Sequence, residues 1–119
     1  MACSDSTLWS DGEYEVIWLD KPSYLAKCSS KLNMCKGLTG EPILCIGNDS
    51  RYIVAEFYNK KNNESTFYII DKNIRGFNSS TDLPMSVDGP YKKEQFEIKV
   101  KELDLPDFSE SFNSTLKVL

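Results

Sequence analysis

Ile43-Leu44-Cys45-Ile46-Gly47-Asn48-Asp49-Ser50-Arg51-Tyr52-Ile53-Val54-Ala55-Glu56-Phe57-Tyr58 is the stretch that decides the fold. Pro42 precedes a short apolar run, Ile43 to Ile46, which reads as a strand. Gly47-Asn48-Asp49-Ser50 supplies turn chemistry, because glycine and Asx residues tolerate left-handed angles. Arg51 to Tyr58 then alternates: Ile53, Ala55 and Phe57 fall on one face, Tyr52, Val54 and Tyr58 on the other. Asn59 to Glu64 is polar and forms a loop tip. Thr66 to Asp71 returns as a strand, with Phe67 and Ile69 opposite Tyr68 and Ile70. Strand, tight turn, strand, polar loop, strand predicts an antiparallel meander.

Working outward, Glu13 to Asp20 is a further aromatic and β-branched strand that Pro22 stops. Tyr14, Val16 and Trp18 share one of its faces, Ile17 and Leu19 the other. Tyr24 to Cys28 reads as a short edge strand. On the other side, residues 73–88 lack periodicity and read as one long loop. Gly89-Pro90 announces a helix over 90–104, since proline suits the first turn. Phe96, Val100 and Leu103 lie on one of its faces, and Pro106 ends it. The expectation is therefore an α+β protein: an antiparallel sheet of about four to six strands with one C-terminal helix on one face. The 119 residues suit a single domain. Within it, 1–12 are a flexible tether, 13–71 carry the strands, and 107–119 form a tail or edge strand.

The chain contains no histidine. That removes the usual general base at neutral pH, Ser-His and Cys-His nucleophiles, and His-containing metal sites. Other catalytic constellations are weak. Asp11 and Glu13 flank Gly12, which suits a solvated turn better than a facing carboxylate pair. Asp49-Ser50 lacks the glycines of a nucleophile elbow, and Gly37-Leu38-Thr39-Gly40 is too short to cradle phosphate. No cofactor is implied and no enzyme activity is expected. Fourteen basic against eighteen acidic residues give a net charge of −4. This acidity disfavours nucleic acid and favours a basic protein partner. Apolar faces on both sides of the central strands exceed what one helix covers. Tyr52, Tyr58 and Tyr68, with the acidic Asp49 and Glu56, are the expected partner-binding residues.

Four cysteines occur, none with the spacing of a zinc site. Cys28 and Cys35 flank a short polar loop that a disulfide would close; Cys28–Cys45 is the alternative pairing. Cys45 lies in an apolar run, where a thiol acts as a small hydrophobe. The start shows no basic n-region or apolar h-region. Cys3, with the polar stretch that follows it, matches the first residue of a lipid-anchored bacterial protein, in which the cysteine carries the lipid. Four Asn-x-Ser/Thr sequons, at Asn48, Asn63, Asn78 and Asn113, fall in expected loops or the tail.

These segments carry a resemblance: Tyr14 to Asp20, Ile46 to Ala55, Phe67 to Lys72, and Gly89-Pro90 leading to Phe96 and Leu103-Asp104-Leu105-Pro106. Over residues 13–106 the chain resembles small bacterial lipoproteins and secreted proteins similar in style to the immunity proteins of toxin–immunity pairs. The stretch 28–36 departs from that pattern. The resemblance implies a cell-envelope protein, periplasmic or anchored to the outer membrane through Cys3, that binds a basic toxin or effector stoichiometrically and blocks it. A structural or ligand-binding envelope lipoprotein, a carboxylate-only hydrolase, and a cytoplasmic location are the competing readings.

Overall fold

The computed structural model describes residues 7–18, 23–29, 34–38, 41–59, 61–74, 77–78 and 83–112. The protein is α+β and antiparallel, as the alternation requires. The strands are divided between a four-stranded sheet, a five-stranded sheet and a two-stranded ribbon. Two compact units result: Met1–Ile43 with Phe112–Leu119, and Leu44–Ser111. No helix among the described residues is long and apolar enough to cross a membrane.

The first unit is the meander β1 (Thr7–Asp11), β2 (Tyr14–Trp18), β3 (Ser23–Ser29) and β4 (Met34–Gly37). Strand β1 replaces the expected flexible tether over Thr7–Asp11; residues 1–6 of that tether lie outside the described residues. Asp11 pairs directly with Tyr14 across Gly12-Glu13, and Gly12 takes a φ of 61°. This tight turn needs a positive φ at its first loop position, which glycine supplies without a Cβ penalty. Asp11 therefore precedes a hairpin turn and Glu13 lies within it. Val16 and Leu25 pair across β2 and β3 and are buried with Tyr14, Ala26 and Leu38. Lys27 Nζ stands 5.6 Å from the centroid of the Tyr14 ring.

Cys28 on β3 lies directly across from Cys35 on β4. Its N–H donates in the other direction, to the Glu13 carbonyl at 2.6 Å. Facing β4, Cys28 thus occupies a non-hydrogen-bonded pair, where opposed residues approach most closely. Cys45 is a free thiol, which removes the Cys28–Cys45 alternative. Cys3 lies outside the described residues, as do Asn113, Leu116, Val118 and Leu119.

In the second unit β5 (Ile43–Asn48), β6 (Tyr52–Asn59), β7 (Glu64–Asp71), β10 (Val87–Tyr91) and β11 (Glu110–Ser111) form a sheet in the order β10-β7-β6-β5-β11. Strands β8 (Phe77–Asn78) and β9 (Leu83–Pro84) make the separate ribbon inside the expected long loop. Helix α1 spans Lys93–Leu103. It does not begin at Pro90, because Val87–Tyr91 is bound to β7 through Val87↔Ile70, Asp88↔Ile69 and Tyr91↔Phe67. The register shifts between Asp88 and Tyr91, so Gly89-Pro90 is absorbed as an irregularity on an edge strand. An edge bulge tolerates proline's missing N–H.

Strand pairing places Tyr52, Val54, Glu56 and Tyr58 on one face with Ser65, Phe67, Ile69 and Asp71. On that face Val54, Phe67 and Ile69 pack with Phe96 of α1 and with Leu105, and Tyr52, Tyr91 and Val100 border them. Leu103 was expected in this contact but is 38% exposed, whereas Leu105 is buried. The reason is the cap: Asp104 adopts a left-handed φ of 54° and the Leu105 N–H returns to the Val100 carbonyl. That reversal carries the chain back over the sheet at Leu105. It then reaches β11, which pairs with β5 through Glu110↔Ile46 and Ser111↔Cys45.

Candidate functional site: an acid-rimmed groove on the helix-facing side of the sheet

Alternation along β6 determines what the helix side of this sheet offers. Tyr52 and Val54 pack beside α1 and Leu105, and Glu56, further along the strand, faces a groove. An open groove of about 800 Å³ occupies this region, with Phe67, Phe96 and Phe108 among its lining residues. Phe67 and Phe96 stack at 4.8 Å, and Phe108 lies 5.9 Å from Phe96 and 6.4 Å from Phe67. Glu56, Glu64, Glu94 and Glu97 line it, against Lys92 and Lys93.

Glu56 is held in place. Its Oε2 accepts the Ser65 hydroxyl at 2.6 Å, and the Cys45 thiol also bonds to it. Burial, with the neighbouring Glu56 carboxylate, pushes the Cys45 thiol up, and a hydrogen bond with Ser111 opposes this only in part. Cys45 is thus a protonated, half-buried thiol rather than a thiolate nucleophile. Among the described residues no group of three or more Cys, Asp or Glu is placed to hold a metal ion.

The helix enters the groove with its first turn already engaged, since the Lys92 N–H donates to Gln95 Oε1 at 3.1 Å. The Tyr91 hydroxyl donates to Asp88 Oδ2 at 2.6 Å. Partial burial, together with that carboxylate, raises the phenol to about 12, so it stays protonated as a donor.

The expected partner-binding residues do not form one patch. Glu56 lines the groove, and Tyr52 and Tyr58 share its strand face. Tyr52 is half-buried beside the helix cluster, with the Arg51 guanidinium 5.0 Å from its ring centroid. The Tyr58 hydroxyl donates to Asn63 Oδ1 at the hairpin tip. Tyr68 belongs to the opposite face with Ile53, Ala55, Phe57 and Ile70, all buried; its ring meets Phe57 edge-on at 5.2 Å. Burial removes it from any docking surface. Asp49 is exposed but structural: Oδ1 accepts the N–H of Arg51 at 2.8 Å and of Tyr52 at 2.7 Å, closing the turn before β6. Phe108, Glu64, Glu94 and Glu97 escaped the sequence reading, because they converge only when α1 and the segment after it fold back.

At the same turn Arg51 reaches Asp71 through Nε–Oδ1 at 3.3 Å and Nη2–Oδ2 at 3.0 Å. Two backbone N–H donors hold the Asp49 carboxyl below its ordinary range, and Arg51 does the same for Asp71. A folded-state pKa below the unfolded value adds stability above the unfolded pKa, and that stability is lost as pH falls through the folded value. The urea midpoint is therefore expected to drop as pH is lowered from about 5 towards about 2. Asp49→Asn and Asp71→Asn should each start lower at neutral pH and show a flatter acid limb. An unchanged acid limb in both variants would contradict this assignment.

Neither a family model, nor a curated protein, nor a solved structure matches this chain.

Proposed function

We propose that this chain is a non-catalytic binding protein of the cell envelope, an immunity protein that occupies a basic toxin or effector one-to-one and blocks it. The observation that carries the reading is the groove, in which three phenylalanines are bordered by more carboxylates than ammonium groups. Its sign agrees with the net charge of −4. Complementary charge speeds encounter and selects partners, and aromatic side chains supply contact area at small entropic cost.

An oxidising compartment fits the cysteines. Cys28 bonds with Cys35 in this reading, since the two are register partners and Cys45 is free. Structural disulfides persist in such compartments and are rare elsewhere. Cys3 would be the lipid anchor.

The test is co-expression with the protein encoded beside it. The two should co-purify as a one-to-one complex, and the toxicity of the neighbour should be suppressed. A neighbour that neither binds nor is neutralised would overturn the proposal.

A further inference from the structure

We infer that the groove receives an arginine- or lysine-bearing segment of the partner, with Glu56 anchoring the cation and the Phe67, Phe96 and Phe108 rings taking the apolar part of the side chain and its neighbours. The inference rests on the protein-binding reading above and adds the site and the chemistry of its occupant.

Charge is the first argument. Four glutamates against two lysines leave the lining negative by two, so a cationic segment is favoured over an anionic one. Position is the second. Glu56 is half-buried on the sheet, and the Ser65 hydroxyl fixes one of its oxygens. An ionised carboxylate has about four acceptor sites, so one engaged in this way still accepts a guanidinium or ammonium group. Because its orientation is already set, little side-chain freedom is lost on binding.

The third argument is the aromatic lining. Phe108 remains 36% exposed although it lies beside two buried rings. A long cationic side chain lays its methylene stem along such rings while its head meets the carboxylate. Other occupants fit less well. An acidic peptide would face the glutamates, and a purely apolar one would leave them without counter-charge.

The experiment is an amide-resonance titration of the full chain with two peptides, acetyl-Arg-Leu-Arg-Leu-amide and acetyl-Glu-Leu-Glu-Leu-amide. The basic peptide should perturb Ser65, Phe67, Phe96 and Phe108 selectively, and the acidic one should not. Glu56→Gln, which keeps the side-chain shape, and Phe108→Ala should each weaken the basic peptide about tenfold. Glu102→Gln, an exposed helix position outside the groove, should leave it unchanged. Absent perturbation, perturbation spread over the acidic surface, or an equal loss in Glu102→Gln would overturn the inference. The two proposals separate in the complex itself. If Glu56→Gln and Phe108→Ala still neutralise the neighbouring toxin as the parent does, the groove inference fails and the binding function stands.

Discussion

Replacing Phe96 with alanine is expected to cost about 3–5 kcal/mol and to release helix α1 from the sheet. Phe96 is the buried residue of that helix. Its ring stacks on Phe67 at an interplanar angle of 15° and sits within the Val54, Ile69 and Leu105 cluster. Truncation removes this contact and leaves a cavity that a β-sheet cannot close by moving. An 11-residue helix is marginal by itself in water, so an undocked α1 should melt. The urea midpoint should fall and helical circular dichroism should decline together. Ile98→Ala is the matched control on the same helix; Ile98 is 60% exposed, and its loss should stay within about 0.5 kcal/mol. Equal stability of the two variants would mean that α1 is not held by Phe96.

The second large effect concerns Gly47. A Cβ at this position would stand 2.0 Å from the Asp107 carbonyl oxygen, 2.8 Å from its carbon and 2.9 Å from Phe108 Cα. All three are backbone atoms, so relief requires the chain to move. Gly47→Ala is expected to cost about 3 kcal/mol, at the upper end for overpacking. It should also lift the 107–111 segment off β5. The Ser109 N–H, which donates to the Ile46 carbonyl at 2.8 Å, would lose its protection from hydrogen exchange. Phe108 would leave the groove, so peptide binding should fall with stability. Gly37→Ala, where nothing lies within 4 Å of the added carbon, should be nearly neutral. Retained Ser109 protection in Gly47→Ala would contradict the close approach.

The contrast between these glycines shows how much of the molecule was legible from its residues. The central strands were, because apolar runs from Ile43 to Asp71 are separated by two polar turn segments, and the Asp49 turn formed as its chemistry requires. Strand β1 was missed, although Gly12-Glu13, with glycine at the first loop position, is a two-residue hairpin signal that would have revealed it. Gly47 read as a turn residue. Its other role, admitting the backbone at Asp107, depends on a segment 60 positions later and has no local signature. Pro90 read as a helix start because local preference favours it there; pairing with β7 overrode that preference.

The site divides in the same way. Glu56 was legible as a charge on an otherwise apolar strand face, an inconsistency that points to function or to an internal partner. Here it lines the groove and accepts a hydrogen bond from Ser65. Tyr68 was misplaced because a strand's two faces look alike in sequence when both are apolar. Phe108 was not legible as a lining residue, since its position follows from the left-handed cap at Asp104 and from Gly47.

Stoichiometric capture is the central claim, and a titration of the neighbouring toxin's activity with this chain tests it most directly. Inhibition should rise linearly and end at one equivalent, at all incubation times. Complete inactivation by a small fraction of an equivalent, growing with time, would mean turnover, and no inhibition at several equivalents would mean no capture; either result contradicts the account.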